Sequence, residues 1–209
     1  MPKNGEPMRD VINAWSQLVF RDPEPLLREL RTLEYAVMGL DVADKVLRLR
    51  TNDLQNIREG RNAALFAHGM ATATGRKVYF AAHEAADYDF VTSWIINEER
   101  FFCAVQLKEL VPTDLNPTAS LEQLLVSLAK YQTTSTVLAI LLNRPAQLTL
   151  EQLAKFNVPF GQAWLFWLES ANGSRWMIEG DLLNNPASYP FRYPEPTLGV
   201  PVGDIRSVS

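Results

Sequence analysis

The chain has 209 residues, 47% of them hydrophobic, enough to bury the core of one domain and too apolar for a disordered protein. Twenty basic residues against 24 acidic ones leave a net charge of -4, which argues against a protein that coats nucleic acid through bulk positive charge. A single cysteine, Cys103, excludes an internal disulfide and the common structural zinc patterns.

Helical spacing opens the chain. Val11, Trp15, Leu18 and Val19 recur with that period, Pro23 and Pro25 interrupt it, and Leu26, Leu27, Leu30, Leu33 and Val37 resume it. A third periodic segment runs through Leu40, Val46, Leu47 and Leu49. A further helix is expected from about Asp53 to Met70, with Ile57, Ala64, Leu65 and Ala67 on one side and Gly69 near its end.

From Gly75 the pattern changes to strands. Lys77 to Ala82 and Phe90 to Ile96 are rich in β-branched and aromatic residues, and Asn97-Glu98-Glu99-Arg100 separates the second run from Phe101 to Leu110 as a hairpin turn would. Cys103 falls inside this last apolar run and is expected to pack there. After Pro112, Asn116 and Pro117, Ser120 and Gln123 form a capping box that opens a helix through Leu121, Leu124, Leu125 and Leu128.

Thr136 to Leu142 is aliphatic on both faces, as in a buried strand covered by helices, and Asn143-Arg144-Pro145 ends it. A second capping box, Thr149 with Gln152, predicts a short helix. Gly161 to Glu169 and Arg175 to Ile178 read as two strands joined by Asn172-Gly173, and the Pro-dense segment from Asn184 onward reads as an extended tail lying on the surface or on a partner. The expected organisation is an N-terminal helical region (1–52), an α/β core (53–183) and a Pro-rich tail (184–209).

The N-terminus lacks the basic-then-apolar order of a signal peptide, and the longest aliphatic run, Val137 to Leu142, is too short to span a bilayer. The expectation is a cytoplasmic protein without a membrane partner.

Chemistry is concentrated between Ala86 and Leu110, where the acidic turn Asp87-Tyr88-Asp89 leads into one strand and a second strand ends in Gln106-Leu107-Lys108. The expected order from Asp53 to Asn143 is helix, three strands, helix, strand. With Asp89 ahead of Phe90-Val91-Thr92-Ser93-Trp94 and Gln106-Leu107-Lys108 after Phe101-Phe102-Cys103-Ala104-Val105, this stretch resembles the PD-(D/E)xK nuclease superfamily, the restriction-endonuclease-like fold. The Q-x-K form is similar to its Mrr-like branch.

The resemblance implies an α-β-β-β-α-β mixed sheet flanked by helices and a metal-dependent phosphodiesterase acting on DNA. It also implies the site residues: Asp89, Gln106 and Glu59 around Mg²⁺ or Mn²⁺, with Lys108 orienting the attacking water. Mg²⁺ takes oxygen ligands and retains several waters, so a small set of protein oxygens suffices. An amide at position 106 removes one negative charge from such a site, a loss that Glu59 or Glu84 would have to offset. Asp87 is the alternative to Asp89, since residues two apart on a strand share a face.

Other residues carry weaker signals. Arg48, Arg50, Arg58, Arg61, Arg76 and Lys77 form a candidate local patch for DNA phosphates, and Lys130 with Tyr131 could approach a phosphate. His68 and His83 are too few and too isolated for a zinc site. The second reading of the chain is a catalytically inactive nuclease-fold module that binds a protein partner in a DNA-processing, defence or toxin-immunity assembly. A homodimer suits a double-strand cutter.

Overall fold

The computed structural model describes residues 8–37, 54–131, 133–146, 151, 155 and 159–196. The periodic segment Leu40–Leu49 and the Thr149–Gln152 capping box lie outside the described residues. The described helices are α1 (Met8–Ser16), α2 (Pro23–Val37), α3 (Gln55–Thr74) and α4 (Leu121–Leu128). The strands are β1 (Tyr79–Ala85), β2 (Tyr88–Ile96), β3 (Glu99–Leu110), β4 (Thr136–Leu142), β5 (Gln162–Leu168), β6 (Arg175–Gly180) and β7 (Ala187–Arg192). Pro23 opens α2, in the first turn, where a missing N–H costs nothing.

The seven strands among the described residues form one open mixed sheet whose spatial order equals their chain order. β1 to β3 are antiparallel neighbours, β3, β4 and β5 run parallel, and β5 to β7 are antiparallel again. The β2–β3 hairpin turns through Asn97 and Glu98, at φ 49° and 70°, the left-handed pair that matches the twist of two antiparallel strands. β4 is buried along its whole length, because helices cover both of its faces.

Helices α2 and α3 pack on one face, where Leu27, Phe66 and Met70 meet Phe90, Val105, Val137, Ala139, Trp164 and Ile178. Phe66 is fully buried, with the rings of Phe90, Trp164 and Phe166 at 6.1, 6.4 and 5.7 Å. On the opposite face α4 covers Leu138, Ile140 and Leu165, and Trp15 of α1 covers Val91 and Ala104.

Two expectations are corrected here. Gly69 does not end α3: it is buried, and a Cβ there would lie 3.1 Å from both Ile178 and Phe191, so glycine lets the helix approach β6 and β7 closely. The helix ends at Gly75, whose φ of 64° makes the left-handed cap, with Arg76 N–H donating to the Ala71 carbonyl at 3.2 Å. Nor is the segment from Asn184 only a surface tail. Residues Ala187–Arg192 form edge strand β7, where Pro190 opposite Met177 is tolerated because an edge strand has one unpaired side.

The N-terminal helices are also part of this core. Arg31 of α2, nearly buried, pairs with Glu34 at 3.0 Å, donates to the Asn172 carbonyl at 3.0 Å and lies over the Tyr193 ring. Arg28 donates to the Glu195 carbonyl at 2.6 Å. These contacts clamp the segment after β7 onto α2.

Candidate functional site

The hairpin register explains how the central acid is placed. The β2–β3 pairing runs from Ile96 opposite Glu99 to Phe90 opposite Val105, so Asp89 sits just past the last pair, where β3 continues beside β4 alone. The Leu107 N–H on that uncovered stretch would lack a partner, and Asp89 Oδ2 accepts it at 2.6 Å. The same oxygen accepts a short hydrogen bond from Gln106 Nε2.

Burial raises the Asp89 pKa above the ordinary carboxylate range. The Leu107 N–H and the positive charge of Lys108 oppose that shift, while the neighbouring charges of Glu84 and Glu59 add to it. Glu59 and Lys108 therefore both lie within electrostatic reach of Asp89, although the three come from different elements. Asp87 falls in the β1–β2 turn, outside this set.

A cleft of about 600 Å³ opens beside Asp89, between the start of α3 and strands β1 to β3. Glu59, Glu84, Asp89 and Glu109 line it, together with Arg58 and His83. Glu59 Oε1 accepts from Gln55 Nε2 at 2.8 Å, one turn earlier on α3, and Glu109 Oε1 accepts from Asn143 Nδ2 at 2.6 Å.

Gln106 and Lys108 approach from the other side of the sheet. Their register partners on β4, Leu138 and Ile140, belong to the core under α4, whereas Leu107 packs toward α3. Gln106 is 2% exposed. Lys108 Nζ lies 5.3 Å from the centre of the Tyr131 ring, and Lys130 Nζ lies 5.1 Å from it. The two ammonium groups share one aromatic ring at the end of α4.

The expectation that the Gln106 amide oxygen faces a shared centre with Asp89 is corrected. A buried carboxylate recruits donors, so Gln106 presents its NH₂ to Asp89. Among the described residues, no three His, Cys, Asp or Glu side chains converge at metal-holding distance. The cleft side still offers hard oxygen donors of the kind Mg²⁺ prefers: the carboxylates of Asp89 and Glu59. Among the described residues both hydrogen bonds to Asp89 use Oδ2, which leaves the lone pairs of Oδ1 for a further partner.

The candidate phosphate patch divides among separate places. Arg58 lines the cleft; Arg61 lies over the rings of Trp176 and Tyr193 and pairs with Glu34 at 3.3 Å. Arg76 and Lys77 line a second groove, where Lys77 is 3.5 Å from Asp22. Arg48 and Arg50 lie outside the described residues.

Cys103 is half-buried in β3, and desolvation pushes its thiol up to about 11, as suits a packing residue. Sequence reasoning set aside His83 as a zinc ligand and did not weigh Glu109 or Tyr88. Only the alternation of β1 and the length of β3 beyond the motif could have pointed to them. Compared with protein-family models, curated proteins and solved structures, the chain has no match.

Proposed function

We propose that this protein is a metal-dependent phosphodiesterase of the restriction-endonuclease-like type, acting on DNA at the cleft beside Asp89. One observation carries the reading. The Asp89 carboxylate, at the point where β2 meets β3, is held by Gln106 Nε2 and the Leu107 N–H, and the charges of Lys108 on β3 and Glu59 on α3 act on it. The element order from Gln55 to Leu142, helix, three strands, helix, strand, supports it.

Asp89 and Glu59 would hold Mg²⁺ or Mn²⁺, which when bound offsets charge that builds on the phosphate. The chain's own residues do the rest. Leu107 N–H and Gln106 Nε2 fix the Asp89 carboxylate in one orientation. Lys108 supplies positive charge that favours the ionised form of Asp89 from the α4 side of the sheet, where its side chain rests against the Tyr131 ring. Arg58 meets the DNA backbone at the cleft.

The test is a cleavage assay with Mg²⁺ or Mn²⁺ on single-stranded, duplex and modified DNA and on RNA, run beside Lys108→Ala purified identically. The wild-type protein is expected to cut DNA, and the variant to be slower by about tenfold or more, because Asp89 loses the positive charge that favours its ionised form. Equal cleavage by both proteins would assign the activity to something other than this site.

A second reading, a catalytically inactive module that binds a protein partner, is favoured by one specific observation: the Gln106 amide donates into Asp89. On that reading, Mn²⁺ leaves the melting temperature unchanged in both the wild type and Asp89→Ala. On the first, it raises the melting temperature of the wild type alone.

A further inference from the structure

Tyr88 lies between the two acids of the Asp87-Tyr88-Asp89 turn, and its hydroxyl is shared by two partners. Trp15 Nε1 of α1 is 3.0 Å from Tyr88 Oη, and His83 Nδ1 of β1 is also 3.0 Å from it. An indole N–H can only donate, so Tyr88 Oη accepts from Trp15. The phenolic proton is then available to His83 Nδ1, and the neutral imidazole carries its own proton on Nε2. The reverse assignment would make Oη accept twice and leave the phenolic proton without an acceptor among the described residues.

Ring packing fixes the same arrangement. Trp15 meets Tyr88 edge-on at 5.8 Å, and His83 stacks on Tyr88 at 5.7 Å with the planes 20° apart. Trp15 is itself 8% exposed and seated against Val91 and Ala104, so the relay is anchored in the core. His83 is thereby held in one tautomer and one ring plane before any ligand arrives. It lines the 600 Å³ cleft together with Asp89 and Glu59.

We infer that His83 is a substrate-contact residue of this cleft, donating from Nε2–H to a non-bridging oxygen of the bound phosphodiester, with Tyr88 and Trp15 as its positioning residues. The inference rests on the phosphodiesterase reading. A neutral donor suits the place: it adds a hydrogen bond to the phosphate beside Arg58 without neutralising the carboxylates that the reading assigns to the cation. It also ties α1 to the site, through the hydrogen bond from Trp15 to Tyr88.

The test uses the full chain, whose two histidines are resolved by ¹⁵N-detected side-chain NMR and assigned with His83→Gln. The probe is a phosphorothioate-linked thymidine dinucleotide with Mg²⁺. Wild-type His83 is expected to be protonated on Nε2 and to lose that single-tautomer signature in Tyr88→Phe, which keeps the ring stack. The probe should shift the resonances of His83 and leave those of His68 in place. Its affinity should fall about tenfold or more in His83→Ala, as for losing a hydrogen bond to a charged group. His83→Gln, whose amide N–H can occupy the place of Nε2–H, should retain most of it.

Binding of the probe with His83 unshifted would overturn the contact while leaving the phosphodiesterase reading standing. An Nδ1-protonated His83 in the wild type would overturn the positioning by Tyr88. Failure of both the probe and longer DNA to bind the wild type would remove the phosphodiesterase reading and the inference together.

Discussion

Burial of the Asp89 carboxylate costs the fold stability wherever the group is ionised. A carboxylate whose pKa is raised by burial binds its proton more tightly in the folded than in the unfolded chain. The stability this gives is fully present below the ordinary carboxylate value and is lost as pH rises through the folded value. At neutral pH the ionised group is therefore a burden, only partly relieved by Leu107 N–H and Lys108. Asp89→Asn keeps an oxygen to accept from Leu107 and removes the charge. Thermal melts at neutral pH should show it more stable by about 1 kcal/mol, a rise of about 2 to 4 °C, with the gain shrinking as pH falls through the carboxylate range. Cleavage and Mn²⁺ stabilisation should be lost in the same variant.

At the scale of the element, local signals were legible wherever a short-range mechanism produced them. The capping box of α4 is present in full: Ser120 Oγ accepts from Gln123 N–H at 3.1 Å, and Gln123 Oε1 accepts from Ser120 N–H at 3.3 Å. Ser120→Ala should cost about 1 kcal/mol in chemical denaturation, with a smaller loss in Ser120→Gly. The β2–β3 turn was legible for a similar reason, since Asn97-Glu98 lies between two apolar runs. The roles of Gly69 and Pro190 were not, because both depend on distant partners: Gly69 on Ile178 and Phe191, and Pro190 on the position of β7 at an edge. Sequence spacing likewise put Gln106 and Lys108 on one face. It could not tell that the face belongs to α4 while Glu59 lines the cleft on the α3 side.

At the scale of the molecule, Phe66 is the side chain on which the two halves of the sheet depend. It touches Phe90 from the N-terminal strands and Trp164 and Phe166 from the later ones. Phe66→Ala should destabilise the whole protein by about 3 to 5 kcal/mol, with the transitions at the tryptophans and in the backbone signal still coinciding in denaturant titrations. A loss confined to one probe would mean that the halves unfold separately. The mixed α/β class and the order of the described elements could be read from residue patterns. The seven-stranded extent of the sheet could not, because β7 is short, contains Pro190 and gains its strand character only by pairing with β6.

The agreement between spatial and chain order in the sheet bears on how the protein is made. Every strand pairs with the one that precedes it in the chain, so no late segment has to be threaded between two already paired. During synthesis the β1–β3 meander, with Asp89 and Gln106 already opposite one another, can form while β4 to β7 are still inside the ribosome. Each later strand then meets an edge that is waiting for it, and that edge is exposed only for the time needed to translate the next segment.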